Sequence, residues 1–244
     1  MDVEAYSLAA EVEDEHWWFR GRRAILRSVL DRYIPSASRS RTILEVGCGN
    51  GGNLPLLSAY GHVLAVEKDD AARARASSRG VAHVERGWLP DGLPYAEDRF
   101  DLIAAFDVLE HVDEDGEAVR ALRSRLTLNG LLIVTVPAFG WLWSRHDEFS
   151  HHKRRYTRAG LSALLTACGF GITYSSYFNT FLFPAAVAHM KLGPLLRVTP
   201  AQAMRIPPPP VNRALTAIFS FESAFIPRWS FPYGVSVLLC ARPE

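Results

Sequence analysis

The chain has 244 residues, enough for one α/β domain with appendages around a sizeable core. A net charge of +1 with 22% charged residues excludes the broad basic face of a nucleic-acid binder, and three cysteines, odd in number and far apart, form no disulfide framework. Met1-Asp2-Val3-Glu4 lacks the basic and apolar regions of a signal peptide, so a reducing cytoplasm is expected, and the fact that only three of 27 basic residues are lysine points to a GC-rich, bacterial genome.

In chain order, a helical arm is expected to about Tyr33, followed by a polar link, Pro35 to Arg41. The arm contains His16-Trp17-Trp18-Phe19-Arg20-Gly21-Arg22-Arg23. Consecutive helical residues differ by about 100°, so these aromatics cannot share one face, and some must reach a second surface. Thr42 to Val46 reads as a buried strand running into a glycine-rich turn, Gly47-Cys48-Gly49-Asn50-Gly51-Gly52, whose backbone N–H groups can approach a ligand. Gly47, Gly49 and Gly52 satisfy G-x-G-x-x-G, which alone would suggest NAD. Glu45 argues otherwise: a carboxylate there would repel a pyrophosphate and attract the ammonium and sulfonium of S-adenosylmethionine. A second strand, His62 to Glu67, ends in an acid placed to accept hydrogen bonds from ribose hydroxyls. Further strands near 82–85, 100–106 and 130–136 alternate with helices near 53–59, 71–79 and 115–126, which implies a mostly parallel, doubly wound sheet with its ligand edge at the strand C-termini.

A helix is expected from Thr157 to Cys168, then strands over 171–177 and 233–241. Residues 178–232 break the alternation. Phe181 to Leu196 is apolar but interrupted by Pro184, His189, Lys191, Gly193 and Pro194, so it reads as a helical lid rather than a membrane span; membrane-surface contact is the less favoured option because its polar face is not basic. Pro207 to Pro210 reads as a stiff, extended connector. The segment Trp141 to Tyr156 follows the fifth strand and holds His146, Asp147, His151, His152 and Lys153-Arg154-Arg155. Its imidazoles suit a general base with Asp147 as orienting partner; equally, Asp147 and the arginines suit an ion-pair network that shapes the loop. No metal site is assigned, since the spacing of His146 and His151 on an irregular loop does not fix convergence. The basic triplet is either a solvated face or a grip on an anionic group.

Gly87-Trp88-Leu89-Pro90, Leu93-Pro94-Tyr95, Arg99 to Val112 and Asn129 to Pro137 resemble, in order, the successive motifs of class I S-adenosylmethionine-dependent methyltransferases, over most of residues 42–177. The loop at 141–156 resembles the "LWS-HD…GH-RRYT" segment of a type 11/12-like bacterial branch, with His151 where that branch often has Gly, and the N-terminal run resembles its "HWWF-RR" arm. The resemblance implies a Rossmann-like, seven-stranded α/β sheet whose last strand is antiparallel. It divides the chain into an arm or lid (1–40), a cofactor-binding core (41–177), a helical insertion (178–232) and a final core strand (233–244). It places Gly47, Gly49 and Gly51 at the methionine portion of the cofactor, Glu45 at its ammonium and Glu67 at the ribose. Trp88 and Leu89 would border adenine, by stacking or apolar contact because position 88 lacks the acid common in the wider superfamily. Phe106, Asp107 and Val108 would close the pocket, with Trp18, Arg22, Cys48, Lys68, Gly87 and His111 also assigned to it. His146, Asp147, His152, Arg155 and Tyr156 fall on the acceptor side. The expected enzyme methylates an oxygen of a small or lipid-linked metabolite, with an anionic acceptor as an option. An NAD(P)-dependent oxidoreductase and a non-methylating S-adenosylmethionine binder are the alternatives.

Overall fold

The computed structural model describes residues 3–34, 40–192 and 199–244. The apolar runs become β1 (Thr42–Val46), β2 (His62–Glu67), β3 (His83–Arg86), β4 (Phe100–Phe106) and β5 (Leu126–Pro137), all parallel to their neighbours among these five. With β6 (Phe170–Phe178) and β7 (Ser236–Pro243) they form one seven-stranded sheet in the order β3-β2-β1-β4-β5-β7-β6, β7 running antiparallel to both neighbours. Leu102 to Ala105 of β4 are fully buried because helices cover both faces, which is why this strand reads as a continuous apolar run rather than an alternating one.

On one face lie α2 (Trp17–Tyr33), α3 (Leu54–Ser58), α4 (Asp70–Ser78) and α10 (Pro209–Phe221); α5 (Asp115–Ser124) and α7 (Arg158–Ala167) cover the other. Of the expected N-terminal arm, only α1 (Val3–Val12) is peripheral. Ile25, Leu26, Val29 and Leu30 of α2 are core residues, so this helix is a layer of the fold and not a lid. Gly21 allows it to lie on α10: a Cβ there would stand 2.4 Å from the Phe219 ring. Asn212 of α10 caps the start of α2, its Oδ1 accepting from Trp17 N at 2.8 Å while its Nδ2 donates to the Glu15 carbonyl at 2.9 Å.

The proline run differs from expectation. Pro208 precedes α10, and Pro209 and Pro210 form its first turn, where the missing N–H groups would have no helical partner anyway and the fixed φ suits a helix. The apolar stretch forms α8 (Phe183–Leu192), the short α9 (Pro200–Ala203) follows, and among the described residues no helix is long and apolar enough to cross a membrane. The expected link at 35–39 and the breakers Gly193 and Pro194 lie outside the described residues. Chain crossovers leave β1 and β4 toward opposite sides, so the turn after β1 and the segment after β4 flank a crevice at the switch point of the sheet.

Candidate active site

A cavity of about 1020 Å³ occupies that crevice. At one end is the glycine turn, where Gly47 and Gly49 hold φ of 66° and 55°, backbone that other residues adopt only at a cost. A Cβ on Gly47 would come within 2.8 Å of Val108 Cγ2, so the turn and the segment after β4 close on each other only because that atom is missing. Gly49 N donates to Glu67 Oε2 at 2.8 Å, and Glu67 Oε1 accepts from Asp69 N at 2.9 Å and from Tyr6 Oη at 3.0 Å. The acid at the end of β2 is thereby fixed against the glycine turn, its second oxygen covered by α1. Cys48, Lys68, Gly87, Trp88, Leu89, Phe106, Asp107, Val108 and His111 all line the cavity.

Two assigned residues lie behind this wall. Gly51 packs on Leu54 and the Ala76 backbone. Glu45, expected at the mouth of the turn, is buried beneath it: Oε1 accepts from Asn53 Nδ2 at 3.1 Å and Oε2 has no partner. Burial pushes its carboxyl up to about 8, so the fixed negative charge inferred from the sequence is largely quenched at neutral pH, and Asn53 is the group that reaches the cavity.

Arg22 joins the two halves of the site. Its Nη1 pairs with Asp107 Oδ2 at 3.0 Å, its Nη2 donates to Thr135 Oγ1 at 3.2 Å, and Thr135 Oγ1 donates to Asp107 Oδ1 at 3.0 Å. The guanidinium carbon lies 5.0 Å from the Trp18 ring centroid and 5.7 Å from that of Phe106, while Nε is buried without a partner. Asp107 itself sits at φ 56°, a strained conformation for a non-glycine residue that the surrounding network holds in place.

At the other end is the loop 141–156. Ser144 starts α6 (Arg145–Phe149) as a capping box with Asp147. Asp147 is fully buried, accepts two bonds from Arg155 (Nε at 2.7 Å, Nη2 at 2.9 Å), and pairs with His152 Nδ1 at 2.8 Å. Burial by itself would raise its carboxyl; the bonds from His152 and Arg155 win and hold it well below the usual carboxylate range. One carboxylate is therefore an ion-pair hub for Arg155 and also orients the His152 imidazole. His152 and Arg155 line the cavity with His146, whose ring centroid is 6.1 Å from that of His152. Enclosure in the cavity and the nearby His152 lower the His146 pKa.

Tyr156 does not reach the cavity: its hydroxyl donates toward Asp115 Oδ2 at 2.8 Å within the packed core below. The basic triplet is paired internally, Lys153 with Asp113 at 2.7 Å and Arg154 with Asp115 at 2.9 Å, so it offers no ready grip for an anionic acceptor. His151 has φ 56°, which explains the glycine common there in the resembling branch: the position demands left-handed backbone.

Tyr6, Glu13, Asn50, Asn53 and Glu110 also line the cavity, as do His189 and Met190 from α8, and sequence reasoning gave none of them a role in a site. Glu110, on a 3-10 turn over Leu109–His111, is fully buried with both carboxylate oxygens unpartnered. An acid inside an apolar stretch beside His111 was the signal that could have marked it.

A family model described as a methyltransferase domain matches residues 18–175. A probable S-adenosylmethionine-dependent methyltransferase of Mycobacterium tuberculosis is 30% identical over 129 residues, 52% of this chain and 45% of that protein. A ubiquinone biosynthesis O-methyltransferase of Azorhizobium caulinodans is 31% identical over 126 residues, 47% of this chain and 49% of that protein, so the chain spans about half the length of these curated relatives. A solved structure of a complex between the Haloferax volcanii Trm112 methyltransferase activator and a methyltransferase superposes with a TM-score of 0.64 at 14% identity, covering 99% of this chain and 95% of the other, a likeness of fold. With a matching domain model, the seven-stranded sheet and the glycine turn at its switch point in agreement, the chain belongs to the class I S-adenosylmethionine-dependent methyltransferase family.

Proposed function

We propose that the chain transfers a methyl group from S-adenosylmethionine to an oxygen of a small or lipid-linked acceptor. The observation that carries this reading is that one cavity joins the glycine turn and Glu67 to the Asp147–His152 pair, a cofactor end facing an acid–base end. The residues present fit the cofactor: Glu67 supplies a fixed acceptor for ribose hydroxyls, Arg22 has a buried Nε without a partner beside the glycine turn, and Trp88 and Leu89 offer flat and apolar surface for a base. When bound, S-adenosylmethionine supplies a methyl group on a sulfonium that departs as a neutral thioether.

The chain's own residues then have three tasks. The glycine turn, Arg22 and Asp107 position the methionine portion, which sets the line of transfer. Trp17, Trp18, Phe19 and Met190 exclude water and give an apolar wall suited to an acceptor with hydrocarbon. His146 or His152 removes the acceptor's proton: both face the cavity, and Asp147 fixes the His152 tautomer with the proton on Nδ1, leaving Nε2 as the basic atom. The relative named as an O-methyltransferase supports an oxygen acceptor. The test is calorimetry with S-adenosylhomocysteine and NAD, followed by methyl transfer with His146→Ala and His152→Ala. Micromolar binding of S-adenosylhomocysteine alone, with turnover lowered roughly 10²- to 10⁴-fold in the sensitive variant, is expected. Binding of NAD instead, or full turnover in both variants, would refute it.

A further inference from the structure

Where the segment after β4 meets the histidine loop, Glu110, His111 and His152 bring one carboxylate and two imidazoles together, their ligand-capable atoms all within 4.8 Å of one another. The 3-10 turn that carries Glu110 and His111 is tied to the histidine loop, Lys153 N donating to the Glu110 carbonyl at 2.7 Å, and the rings of His111 and His152 meet edge to face with centroids 4.9 Å apart. A fully buried carboxylate with neither oxygen hydrogen-bonded is costly and calls for a compensating group. Among the described residues no cation hydrogen-bonds it, and Arg22 and Arg155 act on it only through space. Arg22 is committed to Asp107 and Thr135, and Arg155 to Asp147 and the Ala138 carbonyl.

We propose that Glu110, His111 and His152 bind one divalent transition-metal ion of the zinc type in the wall of the cavity. Two imidazole nitrogens and one carboxylate oxygen suit zinc, cobalt, iron or manganese and disfavour magnesium, which prefers oxygen alone. An ion holding three ligands at about 2.1 Å needs them roughly 3.0–3.5 Å apart, a closure of about 1 Å that small side-chain rotations provide. The surroundings match a metal site in one further respect: His152 Nδ1 is held by Asp147, the carboxylate–histidine arrangement that orients a ligand and directs Nε2 to the ion.

Three protein ligands leave open positions toward the cavity, the pattern of a catalytic rather than a structural ion. The ion's role rests on the methyl-transfer reading, whereas its binding does not. It would hold the acceptor hydroxyl and lower its pKa, the proton passing to His146. The oxygen electron pair then forms the new O–C bond as the S–C bond breaks, sulfur keeping the electrons of the broken S–C bond and becoming a neutral thioether; His146 later releases the proton to solvent. The two histidines proposed for the acceptor side thereby take different parts, His152 as ligand and His146 as base.

The test uses the full chain stripped with a chelator, titrated calorimetrically with Zn²⁺ and, for a visible-absorption signature, with Co²⁺, in the absence of cofactor and acceptor. One equivalent bound by the wild type is expected, with affinity lowered about 100-fold in His152→Gln and His111→Ala and at least tenfold in Glu110→Gln, each confirmed folded by circular dichroism. His83→Ala, which removes the exposed His83–Glu85 pair, controls for surface binding and is expected to keep the equivalent. No stoichiometric uptake by the wild type, or uptake unchanged in all folded variants of the triad, would overturn the inference. S-adenosylhomocysteine binding measured on the same stripped protein separates the two conclusions: binding without metal uptake rejects the metal site alone, and absence of S-adenosylhomocysteine binding rejects the methyltransferase reading whatever the metal does.

Discussion

Asp147→Asn isolates the hub of the histidine loop. The native carboxylate is fully buried and accepts from Arg155 at 2.7 and 2.9 Å, from Ser144 N at 2.8 Å and from Ser144 Oγ at 3.0 Å, with His152 Nδ1 at 2.8 Å. An amide of the same shape keeps one accepting oxygen and turns an NH₂ group toward a guanidinium or imidazole donor. The Arg155 charge is then left buried without its counter-ion, a loss of about 3–5 kcal/mol when a buried pair loses one partner. For a chain of this size each kcal/mol lowers Tm by roughly 2–4 °C, so a fall of about 10 °C is expected. The effect carries a pH signature. The folded-state carboxyl is held below its ordinary value, so its contribution is fully present above the unfolded pKa of about 4 and is lost as pH falls through the depressed native value. Urea denaturation of wild type and variant from pH 7 downward should therefore show a gap that is constant above about pH 5 and narrows below pH 4. A gap under about 1 kcal/mol at pH 7, or one that does not narrow in acid, would refute the ion-pair account.

Other substitutions test separate parts of the site. Glu67→Ala should weaken S-adenosylhomocysteine by about 1.5–3 kcal/mol in calorimetry, the worth of hydrogen bonds to a charged group; unchanged affinity would place the ribose contact elsewhere. Glu45→Gln should leave the melting temperature of the ligand-free protein nearly unchanged at about pH 4, below the unfolded carboxyl value, and raise it at about pH 9. Burial raises the native carboxyl to about 8, so the wild type loses stability as pH climbs from the unfolded value toward that figure, and the amide does not. Equal pH dependence in the two proteins would show that Glu45 is not desolvated. Gly21→Ala drives a methyl group into the Phe219 ring, 2.4 Å from its would-be Cβ, and should cost about 1–3 kcal/mol in denaturant unfolding. No loss would mean that α2 and α10 do not pack tightly at Gly21 and Phe219.

The order of strands and helices from β1 to β7 was readable because local pattern carries it. Short apolar runs and glycine turns are decided within a few residues, and the right-handed crossover rule converts their order into a sheet with one ligand edge. The contact of Gly49 with Glu67 follows from the same locality, since both lie at the ends of adjacent parallel strands. The places where local reading failed are those decided by distant partners. Glu45 belongs to the strand pattern, but whether it faces a ligand or the floor beneath it depends on Asn53 and on how the turn folds back. The aromatic arm became a core layer because α10, 190 or more residues further along the chain, supplies Phe219 and the Asn212 cap. Tyr156 sits in a motif rich in polar residues, yet Asp115 and the core beneath take its hydroxyl. The grouping of Glu110 and His111 with His152 is likewise a product of packing. Sequence separation hides the pair of loops that meet there, and the burial that leaves Glu110 without partners exists only once both are closed over it.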